Sequence, residues 1–185
     1  LLENNLNRTN QLITQFKEIT AFQNYAERVE FSLFTIVESV VVGLKQEINK
    51  VSASIDINIP ESWVFNSYSG AFAQITQLLL VNSLRHGANA VDHIEISINA
   101  HLTANKDLVL SFADNGIGVS NDSLDKIFEP FYTTARNNGG TGLGLSVVFN
   151  LVEQKLGGRI SASHNRPSGL VIEMMIPNMK LSQLD

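Results

Sequence analysis

The sequence predicts an α+β domain with one additional long helix at its N-terminus. Three observations support this prediction. Several apolar runs alternate with polar residues, as half-buried strands do. Between these runs lie longer segments whose apolar residues recur three and four apart, which is typical of amphipathic helices. Two glycine clusters interrupt the pattern, one directly after a strand and one at the start of a helix.

Residues 1–24 have the pattern of one helix. Its apolar face repeats at alternating steps of four and three residues and is widened by two further side chains. The face consists of Leu2, Leu6, Thr9, Ile13, Phe16 and Thr20, with Leu12 and Ile19 beside them. It fits half of a dimeric helical bundle and also a helix folded onto its own domain. Leu1 already lies inside this pattern without an initiator Met, so we expect a piece of a longer protein.

The other elements follow a polar hinge predicted at residues 25–30. Further helices are expected at residues 34–49, 69–86 and 141–156, the second stopped by Gly87. Strands are expected at residues 31–33, 51–59, 63–66, 92–102, 106–113, 159–163 and 169–176. The long polar loop at residues 119–140 carries only a short apolar cluster, and such a loop inside a compact domain is usually functional.

The composition limits the possible functions. Hydrophobic residues make up 44% and charged residues 17% of the 185, which indicates a packed core rather than disorder. The net charge of -5 argues against nucleic-acid binding, so the phosphates of a bound nucleotide would need a metal ion and a few placed cations. The absence of cysteine excludes disulfides and thiolate metal sites. No apolar run approaches the roughly 20 residues of a membrane-spanning helix.

The first glycine cluster is Asp114-Asn-Gly-Ile-Gly118, which follows the apolar run at residues 108–113. Glycines after a strand permit close approaches that a Cβ would block. A carboxylate before them is well placed to accept a hydrogen bond from a flat, donor-bearing ligand such as adenine. The same pattern also occurs in ordinary turns, so this motif alone does not decide between the two.

The second glycine cluster, residues 139–145, opens the helix predicted at residues 141–156. Backbone amides at a helix N-terminus, aided by the helix dipole, form an anion site. No Gly-Lys-Ser/Thr follows, which excludes a P-loop. The cluster also does not open a strand-turn-helix unit at the start of a domain, as a dinucleotide fingerprint would.

Asn82, Arg85 and His86 lie late in the helix predicted at residues 69–86. Positions three and four apart share a helix face, so these side chains can converge on one object. An amide oxygen is acceptable to Mg²⁺, which keeps waters and phosphate oxygens as its other ligands. Arginine is a permanent cation suited to phosphate. Taken singly, Asn82 would also fit a buried structural amide and Arg85 a surface charge.

Four segments together resemble the motifs of sensor histidine kinases. Their order and spacing are similar to the N box, first glycine box, F box and second glycine box of that family: Asn82-Ser-Leu-Arg-His86, Asp114-Asn-Gly-Ile-Gly118, Ile127-Phe-Glu-Pro-Phe131 and Gly140-Thr-Gly-Leu-Gly144. The resemblance covers residues 31–178. It implies the Bergerat-type ATP-binding fold shared with gyrase, the Hsp90 chaperones and MutL. This is an α/β sandwich whose mixed, mostly antiparallel sheet is covered on one face by helices, with a lid at residues 119–140 and a tail at residues 179–185.

The resemblance also implies a role for each matching residue. Asp114 would accept a hydrogen bond from the adenine amino group, with Gly116 and Gly118 shaping the pocket. Asn82 would hold Mg²⁺ against the phosphates of ATP, with Arg85 and His86 contacting them. The lid anchors and the groups that receive the phosphates would be Phe128, Phe131, Thr133, Thr134, Gly140, Thr141, Gly142, Leu143 and Gly144.

Two positions depart from the family pattern. Leu78 stands where many members have a second asparagine, so metal binding would depend more heavily on Asn82. Hydrolytic relatives of the gyrase and Hsp90 type have a glutamate there, and leucine cannot act as a general base. Thr133 stands where many members have a basic residue. We therefore hypothesise that Arg136 supplies the lid cation for the γ-phosphate, although a solvated loop arginine fits equally.

The family's phosphoacceptor histidine lies in a His-Glu/Asp context, and none of the four histidines here has that setting. Residues 1–24 resemble the second helix of the dimerisation and histidine-phosphotransfer hairpin. The implied function is transfer of the γ-phosphoryl group to a histidine on the missing part of that hairpin, for relay to a response regulator. The intact protein would be a homodimer and the chain the cytoplasmic portion of a membrane-anchored sensor.

Three alternatives to this kinase remain open. One is a hydrolytic ATPase of the gyrase or Hsp90 type, which Leu78 disfavours. Another is a relative of the serine kinases that inactivate anti-sigma antagonists, which the helix at residues 1–24 fits poorly. The last, from a different class, is a nucleotide-binding interaction module without turnover.

Overall fold

The computed structural model describes residues 27–87, 91–133 and 141–182. The predicted helix at residues 1–24 lies outside this part. The described helices are α1 Leu33–Gly43, α2 Lys45–Lys50, α3 Ser69–Gly87, α4 Asn121–Leu124 and α5 Gly144–Asn150, the last continued by a π-helical turn at Leu151–Lys155. The described strands are β1 Val29–Ser32, β2 Ala53–Asn58, β3 Val64–Ser67, β4 Ile94–Leu102, β5 Leu108–Asp114, β6 Arg159–His164 and β7 Leu170–Ile176.

Five of these strands form the main sheet, in the order β2-β4-β5-β7-β6. β2 and β4 are parallel, whereas the other three pairings are antiparallel. The predicted mixed, mostly antiparallel sheet is therefore confirmed. β1 and β3 form a separate antiparallel pair.

Helices cover one face of the main sheet. Along β5, β7 and the first half of β4 every second side chain is buried, because successive strand residues point to opposite faces. The core that they form with α1, α3 and α5 includes Phe72, Ile75, Leu80, Ile98, Leu110, Val148 and Met174. Burial of each large apolar side chain contributes about 1.5–3 kcal/mol relative to exposure. This packing holds α3 against the end of β5, where the first glycine cluster begins.

The predicted helix at residues 34–49 is interrupted. Helix α1 begins one residue earlier, after Ser32, whose hydroxyl accepts a hydrogen bond from the Thr35 amide at 3.2 Å. It ends at Gly43, and the Leu44 amide bonds to the Val40 and Val41 carbonyls at 3.0 and 3.1 Å. Because glycine is a poor helix former, the interruption falls at a weak position in the sequence.

Two predicted boundaries at the ends of the domain were wrong. Val29 and Glu30 were assigned to the hinge, but both lie in β1 and pair with Ser67 and Asn66. Residues 179–182 were assigned to a tail, but Met179 is buried and Leu181 forms a bridge to Phe65. The folded domain therefore begins before residue 31 and ends after residue 178, the bounds that were predicted for it.

The helix predicted at residues 141–156 begins only at Gly144. Gly142 has a φ of +71°, which a right-handed helix cannot include, so the first residues of the segment form a turn. The helix ends as predicted near Leu156, whose amide bonds to the Leu151 carbonyl five residues earlier at 2.9 Å. This bond marks the π-helical turn.

Candidate functional site

Asp114 is the centre of the candidate site. It continues the alternation of Leu108, Leu110 and Phe112, so its side chain lies on the buried face of β5 and is only 8% exposed. Its Oδ1 accepts hydrogen bonds from the Gly116 amide at 2.9 Å and the Leu170 amide at 3.3 Å. Ser83 donates a third hydrogen bond to this carboxylate. Together the three donors orient the Asp114 side chain at the C-terminal end of β5.

Ser83 is the third donor, and it was not among the predicted site residues. Its hydroxyl donates to Asp114 Oδ2 at 2.9 Å. Ser83 follows Asn82 on α3 and lies three and four residues after the buried Leu80 and Leu79. A serine on an apolar helix face is therefore the sequence signal for this contact, because a polar group at such a position requires a partner.

The backbone of the first glycine cluster is closely packed. Gly118 has a φ of +65°, and a Cβ at this position would come within 2.7 Å of the Gly169 carbonyl oxygen. Asn115 attaches the cluster to the start of β4, since its Oδ1 accepts from the Glu95 amide at 2.9 Å and its Nδ2 donates to the His93 carbonyl at 3.2 Å. Gly118 thus has a backbone conformation and a close contact that require glycine, while its role in the pocket stays a prediction. The contacts of Asn115 were not predicted.

The second glycine cluster contacts residues 127–132, which we call the aromatic segment. The Phe131 amide donates to the Gly142 carbonyl at 2.8 Å, and a Cβ on Gly142 would lie 2.6 Å from the Tyr132 carbonyl oxygen. At Gly144 an added Cβ would lie 3.9 Å from the Leu78 side chain of α3. Together with the Ser83–Asp114 bond, these contacts bring all four sequence motifs into one region.

The aromatic segment is fixed by a small hydroxyl cluster. Tyr132 donates its hydroxyl to Ser123 Oγ at 2.6 Å, and Ser123 Oγ lies 2.7 Å from Ser120 Oγ. Phe128 packs against Phe149 of α5 with a centroid distance of 5.9 Å. Phe131 is 60% exposed, so its ring is not a buried anchor, and its backbone amide makes the contact with the glycine cluster.

Three residues of α3 were expected to bind phosphate or Mg²⁺, and the structure describes the side chains of two of them. Asn82 is half-buried, and its side chain has no hydrogen-bond partner within residues 27–87, 91–133 and 141–182. Arg85 is exposed, and the side chain of His86 lies outside the described residues. The described residues contain no cluster of three His, Cys, Asp or Glu side chains that could hold a metal. An amide oxygen is a ligand that Mg²⁺ accepts together with phosphate and water oxygens, so the metal role of Asn82 stays a prediction.

The phosphate side of the second glycine cluster is also partly described. Thr141, Gly142, Leu143 and Gly144 are half-buried, and no described side chain caps the start of α5. The first backbone amides of a helix have no partner within the helix, and such amides can bind an anion. Thr133 is half-buried. Thr134, Arg136 and Gly140 lie outside the described residues, so the hypothesis for Arg136 stays a prediction.

None of the described helices is long and apolar enough to cross a membrane.

Comparison with known proteins agrees with this geometry. Residues 68–180 match the family described as histidine kinase-, DNA gyrase B-, and HSP90-like ATPases. The signal transduction histidine-protein kinase BaeS of Escherichia coli is 30% identical over 155 residues, which are 82% of this chain and 32% of BaeS. The chain thus spans about a third of the length of this curated relative.

Solved structures give the same result. The catalytic domain of the histidine kinase ThkA superimposes with a TM-score of 0.70 at 27% identity, covering 82% of this chain and 95% of that domain. A structure of ThkA in complex with the response regulator protein TrrA covers 92% of this chain and 49% of that chain, with a TM-score of 0.67 at 22% identity. The chain belongs to the family of histidine kinase-, DNA gyrase B- and HSP90-like ATPases, and its described domain is of the kind that forms the ATP-binding catalytic part of sensor histidine kinases.

Proposed function

We propose that this chain binds Mg-ATP and transfers its γ-phosphoryl group to a histidine on the dimerisation hairpin of the same sensor kinase. The observation that carries the proposal is the buried Asp114 carboxylate, which Ser83 and two backbone amides orient at the end of β5. A buried carboxylate held in this way suits a ligand that presents one directional donor. The amino group of adenine is such a donor.

The adenine end of the proposed site consists of Asp114 and the glycines that follow it. The two bonds from the Gly116 and Leu170 amides go to Oδ1, whereas Oδ2 accepts one bond from Ser83. Because each carboxylate oxygen accepts about two hydrogen bonds, Oδ2 retains capacity for the ligand. Gly116 would leave room for a flat ring beside the backbone, and Gly118 would shape the pocket through its close contact with the Gly169 backbone.

The phosphate end of the proposed site consists of Asn82 and the start of α5. The Asn82 amide oxygen would bind Mg²⁺, which neutralises phosphate charge when it is bound. Arg85 and His86 would contact the phosphates from α3, and Arg136 would supply the lid cation. The groups at the base of the lid that would receive the phosphates are Gly140, Thr141, Gly142, Leu143 and Gly144. Phe128 and Phe131 would anchor the lid, which also carries Thr133 and Thr134.

The nature of residue 78 favours transfer over hydrolysis. The Leu78 side chain of α3 lies 3.9 Å from the position that a Cβ would take at Gly144, at the start of α5. A general base that α3 supplied for an attacking water would lie at this position. An aliphatic side chain there cannot take a proton. The residues of this site therefore bind, orient and stabilise charge, and the nucleophile is expected from the hairpin.

The proposed partners follow from the relatives. ThkA is found with a response regulator, which supports a receiver domain as the recipient of the phosphoryl group from the hairpin histidine. We also propose that the intact protein is a homodimer through its hairpin helices. The described domain would then be the cytoplasmic part of a membrane-anchored sensor.

The nucleotide site is tested by Asp114→Asn. Replacing one acceptor oxygen by an NH₂ group should weaken Mg-ADP binding by roughly 1–3 kcal/mol, because a buried polar group is then mismatched. Titration calorimetry measures the change. Asp56→Asn on the exposed face of β2 is the matched control and should bind as the wild type does. Equal affinity of the wild type and Asp114→Asn would place adenine elsewhere.

The reaction is tested by adding the hairpin that carries the phosphoacceptor histidine, together with Mg-ATP labelled in the γ-phosphate. Acid-labile label on the hairpin histidine is the expected result. If labelled inorganic phosphate were released equally fast with and without the hairpin, the result would indicate a hydrolytic ATPase. Nucleotide binding without label on either product would indicate an interaction module.

A further inference from the structure

The turn between β6 and β7 lies directly behind the first glycine cluster. We call residues 164–169 the β6–β7 turn. Its residues contact both ends of the segment 114–121. At one end Asn165 Nδ2 donates to the Asp114 carbonyl at 2.7 Å, and Ser168 Oγ donates to the Asn115 carbonyl at 3.2 Å. At the other end the His164 ring Nε2 lies 2.7 Å from Asn121 Oδ1.

Asn165 uses both polar atoms of its side chain. While Nδ2 bonds to Asp114, Oδ1 accepts from the Arg166 amide at 2.9 Å, and the Asn165 amide donates to the Gly169 carbonyl at 3.1 Å. The side chain is therefore held by its own turn before it reaches across to β5. Because the Asn165 side chain is held on its own side, its hydrogen bond restricts movement of the Asp114 carbonyl.

Gly169 brings the turn and the cluster into van der Waals contact. Its φ is +113°, and a Cβ at this position would overlap the Asp114 carbonyl oxygen. The next amide, from Leu170, is one of the two that bond to Asp114 Oδ1. The backbone carbonyl and the carboxylate of Asp114 thus have separate partners in one short stretch of chain.

We infer that Asn165 is a positioning residue that sets the adenine specificity of the site by holding the Asp114 backbone from behind. The inference rests on the proposed function, in which Asp114 reads the adenine amino group. Fixing the Asp114 carbonyl restricts rotation of the residue as a whole, and this restriction keeps the carboxylate oxygens in register with Ser83 and the ligand. Asn165 itself does not touch the nucleotide.

Two variants isolate the relevant hydrogen bond. Asn165→Asp keeps the size of the side chain and the oxygen that accepts from Arg166, but it replaces the donor to the Asp114 carbonyl by an acceptor. Asn165→Ala removes the donor without adding charge. Asn58→Asp is the matched control, because Asn58 also donates through Nδ2, to Asp56 and Asn99 on the exposed face of the sheet.

The test compares Mg-ADP with magnesium inosine diphosphate, which has an oxygen in place of the adenine amino group. Calorimetry gives both affinities for each variant, and thermal unfolding without nucleotide reports stability separately. We expect the wild type and Asn58→Asp to prefer ADP. In Asn165→Asp and Asn165→Ala the ADP affinity should fall roughly three- to tenfold, the range for one lost hydrogen bond, while the inosine diphosphate affinity stays within about twofold.

The remaining outcomes are distinguishable. An unchanged preference for ADP in both Asn165 variants, or an equal loss of both nucleotides, overturns the role of Asn165 and leaves the proposed function in place. If the wild type does not bind ADP more tightly than inosine diphosphate, Asp114 does not recognise the adenine amino group. This result would overturn the proposed function of Asp114 and, with it, the inference about Asn165.

Discussion

Gly142 has two constraints at once. Its φ of +71° lies in the left-handed region, and a Cβ would lie 2.6 Å from the Tyr132 carbonyl oxygen. Gly157 shares only the first constraint, since its φ is +66° but nothing lies within 4 Å of the position a Cβ would take. The two glycines therefore separate backbone conformation from steric contact within one protein.

Gly142→Ala should destabilise the domain more than Gly157→Ala does. A left-handed conformation costs an alanine about 1–2 kcal/mol, and both variants incur this cost. Only Gly142→Ala also displaces the backbone at residues 131–132, so it alone should weaken Mg-ADP binding. Chemical denaturation and calorimetry measure the two effects. Equal free energies of unfolding with equal nucleotide affinities would contradict the tight contact.

For single residues, sequence reasoning identifies those whose role is local and misses those whose partner is distant in the sequence. Asp114 and its glycines are recognisable because the motif follows a strand within one short stretch. Ser83 and Asn165 bond to Asp114 across 31 and 51 positions of the chain. A serine and an asparagine are common in helices and turns, so only the folded arrangement shows what they contact.

The aromatic segment, residues 127–132, is an element with its own anchor. Within it Ile127 is buried, and the hydroxyl of Tyr132 donates to Ser123 at 2.6 Å. The Phe131 amide at its end bonds to Gly142. The position of the aromatic segment is therefore coupled to that of the glycine cluster.

Tyr132→Phe should loosen this segment without unfolding the domain. It removes one hydrogen bond of about 0.5–1.5 kcal/mol and leaves the ring in place. Hydrogen exchange of the amides at residues 121–133 should accelerate, while the amides of β5 and β7 keep their protection. Tyr68→Phe is the control, because Tyr68 meets Arg28 and Lys155 through its ring, which phenylalanine retains. Unchanged exchange in Tyr132→Phe would show that the hydroxyl is not the anchor.

The existence and type of most described elements were predictable, whereas several boundaries were not. The short helix α4 was missed, because it lies in the segment 119–140 that was predicted as a loop. Alternation identified β2, β4, β5 and β7, since one face of each strand is more buried than the other. The interruption at Leu44 and the late start of α5 depend on backbone angles at single residues, which apolar periodicity does not report. The mixed, mostly antiparallel sheet was expected from the resemblance to a family and not from the periodicity, and the order of its strands was not predicted.

For the molecule as a whole, the candidate site joins parts of the chain that are far apart in sequence. Helix α3, the end of β5, the aromatic segment and the start of α5 each contribute groups to it. A ligand that binds only the folded arrangement stabilises all of them together, by an amount set by its concentration relative to Kd. Global stability is thus a second measure of nucleotide binding.

Mg-ADP should raise the unfolding temperature of the chain. At 100 times Kd the stabilisation is about 2.7 kcal/mol. Asp114→Asn should give a smaller shift at the same nucleotide concentration because its Kd is higher. Differential scanning fluorimetry over a range of ADP concentrations measures both curves. A wild-type unfolding temperature that does not respond to Mg-ADP would contradict nucleotide binding by the native fold.

The small β1–β3 sheet has a consequence for protein engineering. Phe65 of β3 pairs with Phe31 of β1 on one side and forms a bridge to Leu181 on the other, so the first strand and the end of the described chain flank the same strand. Because adjacent strands are about 5 Å apart, these two segments are separated by about 10 Å, which a few residues of linker can span. Such a join, with new termini opened in an exposed turn, would give a circular permutant in which the four sequence motifs keep their places.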